Sequence, residues 1–394
     1  MTRILISAAE RSGDAHAAHL VREIARLQPG IEMEGFGGDL MAASGVKLAR
    51  NIIALASMGL GFLPNTGRYL RILRDFDRML VEFAPDAVLL VDSPGLHFLF
   101  ARLARWRGVP VIYYICPQIW AWAPWRRARV LRYTDLLLTI LPFEEELYRN
   151  ERVPVVHVGN PVGDSLQAVE PGAGAAIREK LRIPPDARVI GILPGSRERE
   201  IRGTLPVFRS IIDGLNLDPT RHRLLISSFQ ERFRGAIEDG LMGCRIPHEV
   251  LLDDSRAIAI ASDLVLVASG TASLEVAYFQ KPMIVIYRVS RSARFLFQLY
   301  SVTPYFSLPN ILSASTGEAA PIVPERLCIE DDASDLVATA RSLLDDTPER
   351  RATIDALGRL REKALTAGAT SRAANAVVAF LNGGLGVARG RSTP

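Results

Sequence analysis

Apolar residues gather along this chain in short unbroken runs, spaced by stretches in which apolar positions recur every three or four residues. RILISAA (3–9), DAVLLVD (86–92), VPVIYYI (109–115), DLLLTIL (135–141) and VPVVHVG (153–159) read as strands. DAHAAHLVREIARL (14–27) and GLHFLFARLARWRG (95–108) carry helical periodicity between them. Runs without polar alternation, separated by helices, belong to a parallel sheet covered on both faces. NPVGDSLQAVEPGAGAA (160–176) breaks the pattern with Gly, Pro and Ala and reads as an interdomain linker. A second series follows in ARVIGILPG (187–195), HRLLISS (222–228), DLVLVASG (263–270) and PMIVIYR (282–288). The fold class is therefore α/β, with two successive doubly wound domains at 1–165 and 175–350. The helical stretch at 351–394 is expected to pack back on the first domain.

Composition narrows this only a little. The 394 residues suffice for two full cores, and 48% apolar with 23% charged residues excludes a disordered chain. A net charge of +4 suits an anionic partner but is too small to indicate nucleic acid. Three cysteines without paired spacing argue against a disulfide framework or zinc site and fit a reducing cytosol. The opening MTRILISAAERSGD has too short an apolar run for a signal peptide. No stretch reaches the ~18 apolar residues of a membrane span, so any membrane contact is expected to be peripheral.

Ligands of doubly wound sheets sit at the carboxyl ends of strands, and the candidate chemistry of this chain follows strands directly. LVASGTASLEVA (266–277) ends a strand in Ser269, Gly270 and Thr271 and begins a helix carrying Glu275. Free backbone N–H groups there suit a phosphate, and an ordinary capped helix is the plain alternative. GILPGSRERE (191–200) repeats the design: Gly195 and Ser196 admit close backbone approach, and Arg197 offers a fork of donors to a diphosphate. SAAERSGD (7–14) places Glu10, Ser12 and Asp14 after the first strand, with a helix cap as the alternative for Ser12 or Asp14. Asp92 ends a central strand before a proline, as a general base or a helix cap. His16 and His19 lack a matching third ligand, so no metal is expected, and no cofactor. Asn310 in YFSLPN (305–310) has no role that local sequence establishes.

Three of the four tryptophans, Trp120, Trp122 and Trp125, precede Arg126 and Arg127 in CPQIWAWAPWRR. Indoles beside cations suit a membrane interface with anionic lipid. MGLGFLPNTGRYLRILRDFDRML (58–80), with Phe62 and Leu63, adds a candidate amphipathic interfacial helix. Core packing is the alternative for either stretch alone.

At these residues the chain resembles the lipid-A-disaccharide synthase family, inverting glycosyltransferases with two Rossmann-like domains facing a cleft (the GT-B architecture). AERSGD, GFGGDLM, CPQIWAWAPWR, ILPFEEELY, LPGSRERE, SGTASLE, KPMIVIYR, SLPNIL and VPERL are similar in order and spacing from about residue 3 to 382. The resemblance implies transfer of 2,3-diacylglucosamine from UDP to 2,3-diacylglucosamine 1-phosphate, releasing UDP, without metal or cofactor. It implies that Gly195, Ser196, Arg197, Ser269, Gly270, Thr271, Glu275 and Asn310 hold the UDP part. Glu10, Ser12 and Asp14 would line the acceptor side, with Asp92 as base. A cytoplasmic enzyme on the inner membrane follows, with Phe62, Leu63, the three indoles, Arg126 and Arg127 at the lipid or acyl chains. The chain departs from the family's usual Asp-x-Pro-Asp-Phe-Asn, which is Asp92-Ser93-Pro94-Gly95-Leu96-His97 here; Phe62 replaces a Glu, and Asn160 a His. Other readings open at this point are another UDP-sugar enzyme on the same fold (an epimerase, or a transferase to a different acceptor) and a non-catalytic UDP-sugar or lipid binder.

Overall fold

A computed structural model describes residues 1–53, 66–119, 124–149, 152–167, 169, 172–290 and 304–384. The chain divides into two compact units, Met1–Asp164 with Ala367–Pro394, and Ser165–Thr366. The first unit contains strands β1 (Arg3–Ala8), β2 (Glu32–Gly37), β3 (Lys47–Asn51), β4 (Ala87–Val91), β5 (Val111–Tyr114), β6 (Leu136–Thr139) and β7 (Val155–His157). They form a parallel seven-stranded sheet in the order β3-β2-β1-β4-β5-β6-β7.

Alternate residues of the central strands feed two separate cores. Ile4, Ile6, Leu89 and Val91 pack with Leu20 and Ile24 of helix Arg11–Leu27 and with Val377 and Phe380 of helix Ala369–Leu381. Leu5, Val88 and Leu90 face the other way, toward Ile72 and Phe76 of helix Thr66–Glu82 and Phe100 of helix Pro94–Trp106. A strand buried on both faces needs apolar residues at every position, which is why these runs lack polar alternation.

The second unit repeats the plan with β8 (Arg188–Leu193), β9 (His222–Ser228), β10 (His248–Leu252), β11 (Leu264–Ala268), β12 (Met283–Arg288) and β13 (Glu325–Cys328). Its parallel six-stranded sheet runs β10-β9-β8-β11-β12-β13. The core is built from Ile190, Ile192, Leu264 and Leu266 against Leu205, Phe208 and Ile212 of helix Glu198–Gly214.

Strands β2, β3, β10 and β13 go beyond the sequence pattern. β3, β10 and β13 are sheet edges with charged or polar residues among few apolar ones, so they make no bare apolar run. β2 (EMEGFG) has a register shift between Gly35 and Phe36, where a Cβ on Gly35 would meet the Ile6 carbonyl oxygen at 1.9 Å. Part of the stretch read as linker is helical, at Pro161–Leu166 and Ala173–Lys180. The C-terminal reading also differs: helix Pro348–Ala364 stays with the second unit, and the chain rejoins the first only at Ala367. Among the described residues no helix is long and apolar enough to cross a membrane.

Candidate functional site

Chain order reverses once in each sheet, between β1 and β4 in the first unit and between β8 and β11 in the second. Such switch points open a crevice beyond the strands' carboxyl ends, where ligands of this fold class bind. At the first, Ala8 pairs with Val91, so Glu10 and Asp92 leave neighbouring strand ends. Glu10 is exposed and extended at the start of helix Arg11–Leu27, and Ser12 lies half-buried in its first turn. Gly13 lets that helix close on β4: a Cβ there would sit 3.4 Å from the Val91 oxygen and 3.8 Å from the Asp92 Cβ.

Asp92 and Ser93 are consecutive left-handed residues, with φ of 56° and 50°. Neither is glycine, and each such residue costs on the order of 1–3 kcal/mol unless its surroundings enforce it. The Asp92 carbonyl is held by two buried groups, the Tyr113 hydroxyl at 2.7 Å and His97 Nδ1 at 2.6 Å. His97 Nε2 lies 3.0 Å from Ser7 Oγ. Burial first, then the nearby Glu10 charge, pushes the Asp92 carboxyl up to about 6, against an opposing hydrogen bond from the Ser93 backbone. A carboxyl poised near neutrality suits general-base work. Burial lowers His97 to about 4, so its ring is neutral.

Asp14 does not join Glu10 and Asp92. It is 3% exposed, and its carboxylate accepts from the backbone N–H groups of Gly38 (2.8 Å), Leu40 (3.2 Å) and Met41 (3.3 Å). It is the cap of helix Asp39–Ala43, and its oxygen would lie 2.4 Å from a Cβ on Gly38, which explains that glycine of GFGGDLM; a Cβ on Gly37 would instead meet Met41 Sδ at 2.3 Å.

At the second switch point Leu193 pairs with Val267, bringing the turn at Gly195, Ser196 and Arg197 beside the turn at Ser269, Gly270 and Thr271. Gly195 needs its glycine, with φ 118° and a would-be Cβ 2.8 Å from Glu200. Glu200 accepts from the Ser196 N–H at 3.0 Å and pairs with Arg197 at 3.3 Å, so donors suited to a diphosphate already converge on one carboxylate. Thr271 is exposed, while Ser269 and Gly270 are half-buried. Glu275 accepts from Ser255 Oγ at 3.2 Å and Arg256 Nε at 3.4 Å; burial nevertheless raises its pKa.

Asn310 is buried, 1% exposed, and its amide is saturated inside the unit. Its nitrogen donates to the Val323 carbonyl (2.9 Å) and Glu325 (2.8 Å); its oxygen accepts from the N–H groups of Ile322 (2.9 Å) and Val323 (3.0 Å). Glu325 in turn accepts from the N–H groups of Phe306 (3.0 Å) and Ser307 (3.1 Å). Asn310 thus shapes the segment before its helix, with both the donor and the acceptor side of its amide met inside the unit.

Of the membrane candidates, Phe62, Leu63, Trp120 and Trp122 lie outside the described residues. Trp125 is 60% exposed, with Arg126 half-buried beside it. Arg127 is not a lipid-facing cation: its guanidinium donates to the carbonyls of Leu147 (2.5 Å) and Arg149 (2.6 Å) at the end of helix Pro142–Tyr148. Helix Thr66–Glu82 turns Ile72, Phe76 and Leu80 into the core, where Phe76 stacks on Phe100 at 3.8 Å. The apolar face that made it an interfacial candidate is therefore largely core.

A family model described as lipid-A-disaccharide synthetase matches residues 4–380. The chain belongs to the lipid-A-disaccharide synthase family. It is 33% identical over 380 residues to the lipid-A-disaccharide synthase of Myxococcus xanthus (strain DK1622), covering 96% of this chain and 97% of that one. It is likewise 33% identical over 381 residues to that of Alcanivorax borkumensis (strain ATCC 700651 / DSM 11573 / NCIMB 13689 / SK2), with 96% and 97% covered. Among solved structures, it is similar in fold to a UDP-GlcNAc 2-epimerase from Neisseria meningitidis bound to UDP-GlcNAc, with TM-score 0.64, 14% identity and 97% and 100% of the chains covered. MurG of Acinetobacter baumannii gives TM-score 0.55 at 14% identity, with 96% and 99% covered. Membership in the lipid-A-disaccharide synthase family makes the chain a glycosyltransferase of lipid A biosynthesis, with a UDP-sugar donor and a sugar-phosphate acceptor.

Sequence reasoning missed Ser7, Tyr113, Glu200 and Glu325. Only His97 had left a signal, as an ionisable residue where the family usually has Asn.

Proposed function

We propose that Asp92 is the general base of this glycosyl transfer, removing the proton of the acceptor 6-hydroxyl as its oxygen attacks the anomeric carbon of UDP-2,3-diacylglucosamine. The C–O bond to the acceptor forms as the bond to the diphosphate breaks. UDP departs carrying the negative charge, and Asp92 keeps the proton until it exchanges with solvent. The observation that carries this reading is Asp92 itself: a carboxyl held near 6 in a left-handed turn at the first unit's switch point. A base in this role is worth ~10²–10⁴ in rate.

The donor's diphosphate is assigned to the second unit, where backbone N–H groups at Ser196, Gly270 and Thr271 and the Arg197 guanidinium oppose the growing charge, while the Ser269 N–H stays with the Ile286 carbonyl at 2.8 Å. Arg197 now pairs with Glu200, so diphosphate competes with that carboxylate for the same donors. Glu275 is assigned to the nucleoside end; Glu10 and Ser12 to the acceptor side. Both substrates carry fatty chains, and exposed Trp125 with Arg126 beside it supports peripheral contact with an anionic membrane surface. The test is UDP release measured with each acylated sugar alone and with both. Release that needs both is expected; UDP formed from the donor alone would indicate a different reaction.

A further inference from the structure

We propose that His97 is a positioning residue for the transfer, holding the turn at Asp92 and Ser93 from which the base carboxylate projects. The inference rests on the reading of Asp92 as the base. The Asp92 N–H still belongs to the sheet, donating to the Tyr114 carbonyl at 3.0 Å, so strand register carries the chain only that far. Beyond it both residues are left-handed, and Ser93 Oγ is buried with no hydrogen-bond partner among the described residues, which leaves the backbone to hold the turn. What holds it is the Asp92 carbonyl, taken by the Tyr113 hydroxyl and by His97. A carbonyl only accepts, so His97 Nδ1 carries the proton; Nε2 is then an acceptor, and the Ser7 hydroxyl donates to it.

One neutral tautomer is thereby fixed from two sides. The ring is 0% exposed and packs against Phe100 at 5.9 Å and Tyr113 at 6.2 Å, so it acts through Asp92 and touches no substrate. Helix Pro94–Trp106 supplies the residue from its first turn, with the His97 N–H donating to the Ser93 carbonyl at 3.3 Å. Turning the peptide between Asp92 and Ser93 would break both carbonyl contacts and re-aim the carboxylate. Misplacement of a reacting group by about 1 Å can cost ~10² in rate.

The test is steady-state kinetics with both acylated substrates, UDP calorimetry and thermal melting on His97→Leu, His97→Asn, Tyr113→Phe, Asp92→Asn and the His97→Leu/Asp92→Asn pair. His97→Leu should lower kcat about 30- to 100-fold with donor KM and UDP affinity unchanged. His97→Asn keeps an N–H at the same bond distance from Cβ and should stay within about threefold of wild type. Tyr113→Phe removes the other donor and should lower kcat about fivefold, keeping the test decisive should His97→Leu fail to fold. The pair should be no slower than Asp92→Asn alone, because both changes disable one group. A folded His97→Leu enzyme with wild-type kcat, or losses that multiply in the pair, would overturn the inference while leaving Asp92 as the base. Wild-type turnover in Asp92→Asn would instead remove the base assignment itself.

Discussion

Glu10 and Asp92 leave two hydrogen-bonded neighbouring strands at their carboxyl ends, and after burial the Glu10 charge is the second cause lifting the Asp92 carboxyl to about 6. A base works only when ionised, so kcat/KM should fall as pH drops through that value. Glu10→Gln removes a like charge and should move the acid limb to lower pH. A pH profile of kcat/KM on both proteins checks this; an unmoved limb would place the Glu10 charge too far away to matter.

The same carboxyl weakens the fold. Its folded value is raised from 3.8 to about 6, so its contribution to stability is fully present below 3.8 and lost as pH rises through 6. Ionised Asp92 then costs up to about 3 kcal/mol at pH 8. Asn carries no charge and tolerates left-handed backbone. Asp92→Asn should therefore stabilise the protein by about 1–3 kcal/mol at pH 8, with a smaller gain near pH 4, measured by urea denaturation. A destabilised variant would mean that the carboxylate is satisfied in the fold.

Asn310→Ala removes four hydrogen bonds inside the second unit and leaves Glu325 with one partner fewer. A loss of about 2–4 kcal/mol in unfolding free energy is expected, since buried partners are left unmet. If melting is unchanged while UDP affinity collapses, Asn310 binds the donor after all.

Trp125 is 60% exposed, so Trp125→Ser should change stability by less than about 0.5 kcal/mol. Binding to vesicles containing anionic lipid should weaken, and in the wild type it should fall with salt, because exposed charges are screened beyond ~8–10 Å. Flotation assays at low and high salt check both; unchanged vesicle binding would remove this indole from the lipid contact.

The fold was legible where strands are buried on both faces, because Ile4, Leu5, Ile6, Val88, Leu89 and Leu90 must all be apolar whichever helix layer they meet. Edge strands β3, β10 and β13 carry no such demand and stayed hidden. Site legibility had the same limit. Position after a strand put each candidate at a strand end, where the β1–β4 and β8–β11 pairings set Glu10 beside Asp92 and the Gly195 turn beside the Ser269 turn. It could not separate a ligand-facing carboxylate from one that caps a neighbouring helix, as Asp14 does, nor an available amide from a saturated one, as in Asn310. Those distinctions depend on backbone N–H groups 24 to 27 residues away for Asp14 and a Glu 15 residues away for Asn310, which local sequence does not reveal.

The central claim is that Asp92 acts on the acceptor and leaves donor binding alone. The direct measurement is single-turnover UDP release by Asp92→Asn with both acylated sugars saturating, beside UDP calorimetry on the same protein. A rate lower by two orders of magnitude or more is expected, with UDP affinity within about twofold of wild type because the UDP contacts are assigned to the second unit. A near wild-type rate, or a loss of UDP affinity that accounts for the slower release, would contradict it.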